Sequence, residues 1–370
     1  MAGFEIKRCG REEYKQFLST ANDAFGYGAE NEWFQKNCSH CTPYPDMADE
    51  EDIRSHVIAV SGGKVIGGVG AYELELALSE DGPRLPGERF TFKAAGIGQV
   101  CCLREYRGGG VMRAALTAAL AESTEKGAVL AFLSGDRFRY GRYGFDFAGN
   151  ELRLSYRRHR LAAMLDGAGH GSPAGHGGKQ PRLRVWTPED FSEISGMYTS
   201  LPSFVQRDER GWRKKLGRAN YSWLIGDTPE VPAPDGGQAY MAFNNEDGCI
   251  VELCGQPHPA LAMILRHMED RNMESVTVCR PLRQRGADAL TDALWNAASG
   301  VSVCPSDLAA VLAPDKVFET VAPSLARQGF GAGTPEERAR LVRRVLRFCG
   351  QPDTDGLRPF VFWISRVDAV

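Results

Sequence analysis

Residues 97–113 read Ile-Gly-Gln-Val-Cys-Cys-Leu-Arg-Glu-Tyr-Arg-Gly-Gly-Gly-Val-Met-Arg, an apolar run that breaks at three consecutive glycines. Ile97 to Leu103 has the composition of a strand, and Arg107-Gly108-Gly109-Gly110 ends it. A helix is predicted from about Val111 to Lys126, because Met112, Ala115, Leu116 and Ala119 recur at the spacing of one buried helix face. Gly127 follows where a helix end favours a left-handed residue. Ala128 to Leu133 is then a continuous apolar run of strand length, the character of a buried parallel strand. Strand, glycine loop, helix and strand in that order predict an α/β fold built on a mixed sheet.

The glycine loop carries the first chemical signal. A helix N-terminus leaves backbone N–H groups unpaired, and its aligned peptide dipoles add about half a positive charge there. Glycines let the backbone approach an anion closely. The segment therefore reads as a pyrophosphate cradle with Arg107 at its rim, or as a plain tight turn. It is neither a Gly-x-x-x-x-Gly-Lys-Ser/Thr loop nor a Gly-x-Gly-x-x-Gly dinucleotide fingerprint.

Upstream, a short strand from Phe4 to Arg8 precedes a helix from about Arg11 to Thr20. Two strands, 56–61 and 65–76, are joined by the Gly62-Gly63 turn. Downstream, the Gly-rich stretch 167–180 has no apolar period and reads as a surface linker, in which His170 and His176 are solvated. A second unit opens near Pro181. It has strands at Leu183–Trp186, Ala239–Phe243 and Cys249–Cys254 and a helix from about Pro259 to Asp270. The final stretch contains Thr334-Pro335-Glu336-Glu337, a capped helix start, and an apolar run from Phe360 to Ile364 predicted as a strand.

Composition narrows the function classes. The chain has 370 residues, enough for two or three domains. Its 44 basic and 47 acidic residues give a formal charge of −3, no footprint for nucleic acid or an anionic membrane. No stretch approaches the ~20 apolar residues of a membrane span, and the N-terminus lacks an export signal. The ten cysteines at irregular spacings then read as reduced, in a cytoplasmic protein. Cys38-Ser-His40-Cys41 has no companion pair to close a zinc site, so no metal is expected.

The strand ending at Leu133 leads into Ser134-Gly-Asp-Arg-Phe-Arg-Tyr140-Gly-Arg-Tyr143-Gly-Phe145. With the upstream loop, this resembles the GNAT superfamily of acetyltransferases, whose pattern Arg/Gln-x-x-Gly-x-Gly/Ala reads here as Arg107-Gly-Gly-Gly110-Val-Met112, with Met112 in place of a small residue. The Tyr-Gly-Arg-Tyr-Gly-Phe string more narrowly resembles the Eis (enhanced intracellular survival) branch. The resemblance implies acetyl-CoA as co-substrate. The backbone of Val100, Cys101 and Cys102 would pair with the pantetheine arm. Arg107, Gly108, Gly109, Gly110, Val111, Met112 and Arg113 would hold the pyrophosphate, and Gly135 and Asp136 would lie along the cofactor. Tyr140 matches the branch's proton donor, a role that suits a phenol of pKa near 10 facing a departing thiolate.

The same resemblance implies tandem GNAT-like domains, 1–155 catalytic and 181–299 degenerate, closed by a reduced sterol-carrier-like α/β domain over 300–370. In the second unit Pro257 and Pro259 stand where a phosphate loop would need N–H groups, so no second CoA is expected there. The branch places its terminal carboxylate as base, which corresponds to Val370; Asp23 and Glu30 are alternatives. The expected acceptor is a primary amine, on a small molecule such as an aminoglycoside or on a lysine side chain. A homo-oligomer is expected, since the branch forms ring-like hexamers. The alternative is a catalytically silent acyl-CoA-binding sensor or scaffold.

Overall fold

The computed structural model describes residues 3–38, 50–81, 88–167, 182–227, 237–283, 286–348 and 357–368. Gly62 and Gly63 take positive φ, 56° and 78°, and turn one strand back on the next. This hairpin joins β2 (His56–Ser61) to β3 (Lys64–Ser79), with β1 (Glu5–Arg8) antiparallel on the outer side of β2. Next along the chain come β4 (Arg89–Cys102), β5 (Leu130–Leu133), β6 (Asp146–Arg157) and β7 (Arg182–Val185). They are followed by β8 (Ser203–Val205), β9 (Tyr221–Asp227), β10 (Gln238–Asn244) and β11 (Ile250–Gly255). The last two are β12 (Ser275–Pro281) and β13 (Gly300–Val311).

Among the described residues these strands form one mixed sheet in the order β1-β2-β3-β4-β5-β13-β6-β12-β11-β10-β9-β7, with β8 added to β3. The α/β class and the large mixed sheet are as expected. The boundary at residue 300 is corrected. Residues 300–311 do not open a separate C-terminal unit but lie inside the sheet, with Leu308 opposite Leu133 of β5 and Phe147 of β6. The apolar end of β13, Leu308-Ala309-Ala310, is buried there because both its edges are paired.

The helix Val111–Glu125 buries Ala115, Leu116 and Ala119 of the face read from the sequence, while Met112 of that face is only half-buried and Val111 is buried beside it, and Gly127 follows at φ 95°. That face meets Val69, Ile97 and Leu133 in one core. A second core lies under the helices Pro257–Asp270 and Ala289–Ala297. The C-terminal helices Pro314–Arg327 and Pro335–Val345 form a third against Leu76, Phe90 and Phe92. Thr334 does cap its helix, accepting the Glu337 N–H at 3.2 Å.

The run from Phe360 to Ile364 is fully buried, as its composition demands, but it is not the regular strand expected. A single bridge joins Phe360 to Glu80. Further on, the Asn150 N–H donates to Phe362 O at 3.2 Å, and then side chains take over: Ser203 Oγ donates to Trp363 O at 2.7 Å, and Ile364 N–H donates to Ser306 Oγ at 3.1 Å. This strap crosses β6 at Gly149, where a Cβ would stand 2.0 Å from Phe362 O. It continues to Asp368, buried in an ion cluster with Arg207 and Glu252. Among the described residues no helix is long and apolar enough to cross a membrane.

Candidate active site

β4 and β5 run parallel through only three residue pairs, ending at Gly96 opposite Phe132. Beyond that point β4 continues to Cys102 while β5 ends at Leu133, so among the described residues one edge of residues 97–102 is left without a strand. A bulge at Gln99, φ 45°, turns β4 away, and the register against β3 shifts between Gly68 and Gly70. The bulge is braced from behind. Tyr72 donates to Gln99 Oε1 and stands 2.9 Å from His56 Nε2, while Gln99 Nε2 donates to Cys38 Sγ at 2.8 Å. Burial holds His56 down at about 4, so the ring is neutral and leaves no charge in this brace. Gly70 is required here, since a Cβ would stand 2.5 Å from Gln99 Oε1.

At the far end of the open edge, Gly108 and Gly110 both adopt left-handed φ, 82° and 85°. Gly110 is the N-cap of the helix Val111–Glu125 and supplies no side-chain cap. The first N–H to bond back is that of Ala114, to Gly110 O at 2.9 Å. The N–H groups of Val111, Met112 and Arg113 therefore have no acceptor among the described residues, and no acidic side chain sits in this turn. Gly109 bonds back to Tyr106 O at 3.3 Å, and the exposed Arg113 side chain reaches back toward Gly110. An uncapped positive helix end beside two left-handed glycines fits a diphosphate. Arg107 is differently occupied than expected. Its guanidinium donates to Cys102 O at 3.3 Å and Ala24 O at 3.2 Å, so it ties the loop to the strand and to the N-terminal helix.

Cys101 and Cys102 alternate across β4, as adjacent strand residues must. Cys101 packs with Phe17 and Leu18, and Cys102 with Ile66 and Val111. Burial pushes the Cys101 thiol to about 12 and raises Cys102 too, so neither is poised as a nucleophilic thiolate.

Tyr140 closes the short helix Arg137–Tyr140 that Asp136 starts by accepting the Phe138 N–H at 2.8 Å. Asp136 thus has a capping role as well as a place on the cavity wall. Tyr140 is buried against Phe145, and burial raises its hydroxyl above the usual phenol value despite Arg139 nearby. It stays protonated and able to donate.

Of the expected site residues, Tyr140, Gly135, Asp136 and Val100 line one cavity of 610 Å³ together with Gln99, whereas Cys101, Cys102 and Arg107 to Arg113 are not among its lining residues. Phe25, Tyr27, Trp33 and Phe34 form an aromatic part of its wall. Asp23 and Glu30, the alternative bases, are exposed and do not line it. Val370 lies outside the described residues, as do His170, His176, His40 and Cys41.

The sequence reading missed what the rest of the chain brings here. Asp307, on β13, accepts the Ser134 hydroxyl at 3.1 Å. Withdrawal from water pushes its carboxyl up to about 8, outweighing its bonds from Leu308 N–H and Ser134. Arg153, Arg218 and Arg366 also reach the wall, with Arg139. Nothing local marks these residues, because strand order alone brings them together.

The uncapped glycine-led helix follows β4 and the buried tyrosine follows β5, both at the end where the strand pair splays. Consistent with this, the family model for an acetyltransferase (GNAT) domain matches residues 5–148. No curated protein sequence matches the chain. Among solved structures it is similar to a GCN5-related N-acetyltransferase from Kribbella flavida, at 15% identity and TM-score 0.57, covering 86% of this chain and 74% of that one. A conserved protein from Enterococcus faecalis, described as a probable N-acyltransferase, aligns at 17% identity and TM-score 0.57, over 86% and 75%. Eis1 from Mycobacterium abscessus aligns at 15% identity and TM-score 0.55, over 86% and 76%. At such identities the likeness is one of fold.

Proposed function

We propose that the protein is an N-acetyltransferase that moves an acetyl group from acetyl-CoA to a primary amine by direct attack. The observation that carries this is the parting of β4 from β5 after Gly96, with an uncapped helix N-terminus at one end and buried Tyr140 at the other.

In this reading the N–H groups of Val111 to Arg113 hold the pyrophosphate. Gly108, Gly109 and Gly110 keep side chains out of its way, and Arg107 fixes the loop. The unpaired edge of Val100 to Cys102 takes the pantetheine arm, and Gly135 with Asp136 borders the thioester end. An amine in the cavity attacks the acetyl carbon, and the C–S bond breaks. Tyr140 gives its proton to the leaving sulfur, so the thiolate is never released bare. Two carboxylates stand as acceptors for the amine's proton: that of Asp307 on the cavity wall, and the terminal carboxylate of Val370 that the family resemblance implies. The raised thiols of Cys101 and Cys102 favour direct transfer over an acyl-cysteine intermediate.

The experiment is a titration of the full chain with acetyl-CoA, followed by measurement of CoA thiol release with a panel of amines. Binding with amine-dependent release is expected. Binding without release from any amine would leave a sensor or scaffold instead.

A further inference from the structure

The cavity beside Tyr140 has an unbalanced wall. Four arginines line it, Arg139, Arg153, Arg218 and Arg366, against the carboxyl groups of Asp136 and Asp307. Asp136 is engaged as a helix cap. Arg153 and Arg366 share one buried carboxylate behind the wall, donating to Glu151 Oε1 at 2.8 Å and 3.1 Å. That trio keeps one positive charge.

Arg218 is the decisive residue. It is 8% exposed, yet it meets no carboxylate among the described residues. One NH group donates to Val367 O at 2.8 Å, the guanidinium lies 4.7 Å from the Tyr221 ring centroid, and its Nε–H has no partner among the described residues. Among the described residues this buried cation has no carboxylate to offset it, a costly arrangement that a ligand's carboxylate would relieve. A planar guanidinium with free donors matches a carboxylate in particular. The same cavity exposes flat apolar surface: Tyr27 stacks on Trp33 at 4.4 Å, and Phe25 and Tyr27 are 50% and 38% exposed.

We infer that the acceptor is an anionic amine: a small molecule with a primary amino group, a carboxylate that pairs with Arg218 in the Arg153–Arg366 field, and a flat apolar body lying on the Tyr27–Trp33 wall. Polycationic aminoglycosides and basic lysine-rich peptides are disfavoured by the same charges. This inference rests on the transferase reading and narrows it to one substrate class.

The test uses the full chain with acetyl-CoA and two matched pairs, L-tryptophan against tryptamine and 4-(aminomethyl)benzoate against 4-methylbenzylamine, with neamine as a polycation. The two pairs place the carboxylate near to and far from the amine. In at least one pair the carboxylate form should show a kcat/KM ten or more times higher, carried by KM. Arg218→Gln should erase that preference, bringing the ratio of kcat/KM between the two members of the pair to within about threefold of one. Arg218→Lys, which keeps the charge, guards against a variant that simply fails to fold, and should retain part of the preference. Thiol release that ignores the carboxylate in both pairs, or that is fastest with neamine, overturns this inference alone. No release with any amine overturns the transferase reading and this inference with it.

Discussion

The ring of Tyr140 lies directly on Gly135: a Cβ at that glycine would stand 2.6 Å from Tyr140 Cε2. The glycine at the exit of β5 therefore serves the tyrosine's position as much as the passage of any ligand. Gly135→Ala should push the ring off its seat. We expect kcat to fall at least tenfold, with a stability loss of about 1–3 kcal/mol from overpacking. Steady-state kinetics beside a denaturant melt would separate the two, and an unchanged kcat would show that the ring's seat is immaterial.

Gly110 has room around it but a φ of 85°, so its constraint is conformational rather than steric. Gly110→Ala should cost about 1–2 kcal/mol from the left-handed backbone and tilt the first N–H groups of the helix. KM for acetyl-CoA should rise severalfold while KM for the amine stays level. A rise confined to the amine would misplace the diphosphate.

Asp307 gives a pH test with a definite sign. Its carboxyl is pushed up to about 8, so a reaction that needs it ionised accelerates as pH rises through that value. Asp307→Asn should flatten that limb and lower the plateau. Stability runs the other way. The raised value favours the neutral form in the fold, and that contribution is lost as pH rises through about 8. The Asn variant should therefore melt higher than the parent near pH 9 and equally near pH 4. A wild-type rate without a limb near 8 removes Asp307 as the base.

The strap that ends at Asp368 is anchored by charge. Arg207 donates to Glu252 and Asp368 at 2.7 Å each, with all three side chains at most 1% exposed. Without Glu252, the buried cations Arg207 and Lys215 would share Asp368 alone, so Glu252→Ala should destabilise the chain by about 3–5 kcal/mol. A urea melt measures it, and a loss below about 1 kcal/mol would show that the cluster does not hold the strap.

How much of this the sequence carried depended on range. The helix after Gly110 was legible because its face repeats every turn and its end is a glycine. Tyr140 was marked as a candidate by a string of neighbours with few variants, and it lies on the cavity wall. Both signals are local. Asp307, Arg218 and Arg366 were not legible, since they reach the cavity only when β13 inserts between β5 and β6 and the strap 357–368 crosses the sheet. Arg107 shows a different limit. Its place in the loop was right, but two backbone carbonyls, Cys102 O and Ala24 O, occupy its guanidinium. The run 360–364 was rightly placed in the core, but its hydrogen bonds are divided between scattered backbone groups and serine side chains, which apolar patterning does not record.

The central claim is that an acyl carrier lies between Gly110 and Tyr140 and that this phenol protonates its leaving sulfur. Thiol release by Tyr140→Phe, measured at saturating acetyl-CoA and amine, tests it most directly. The account predicts a fall in kcat of about a hundredfold or more, the usual scale of a lost general acid, with KM for acetyl-CoA within about threefold of the parent. An unchanged kcat would contradict it.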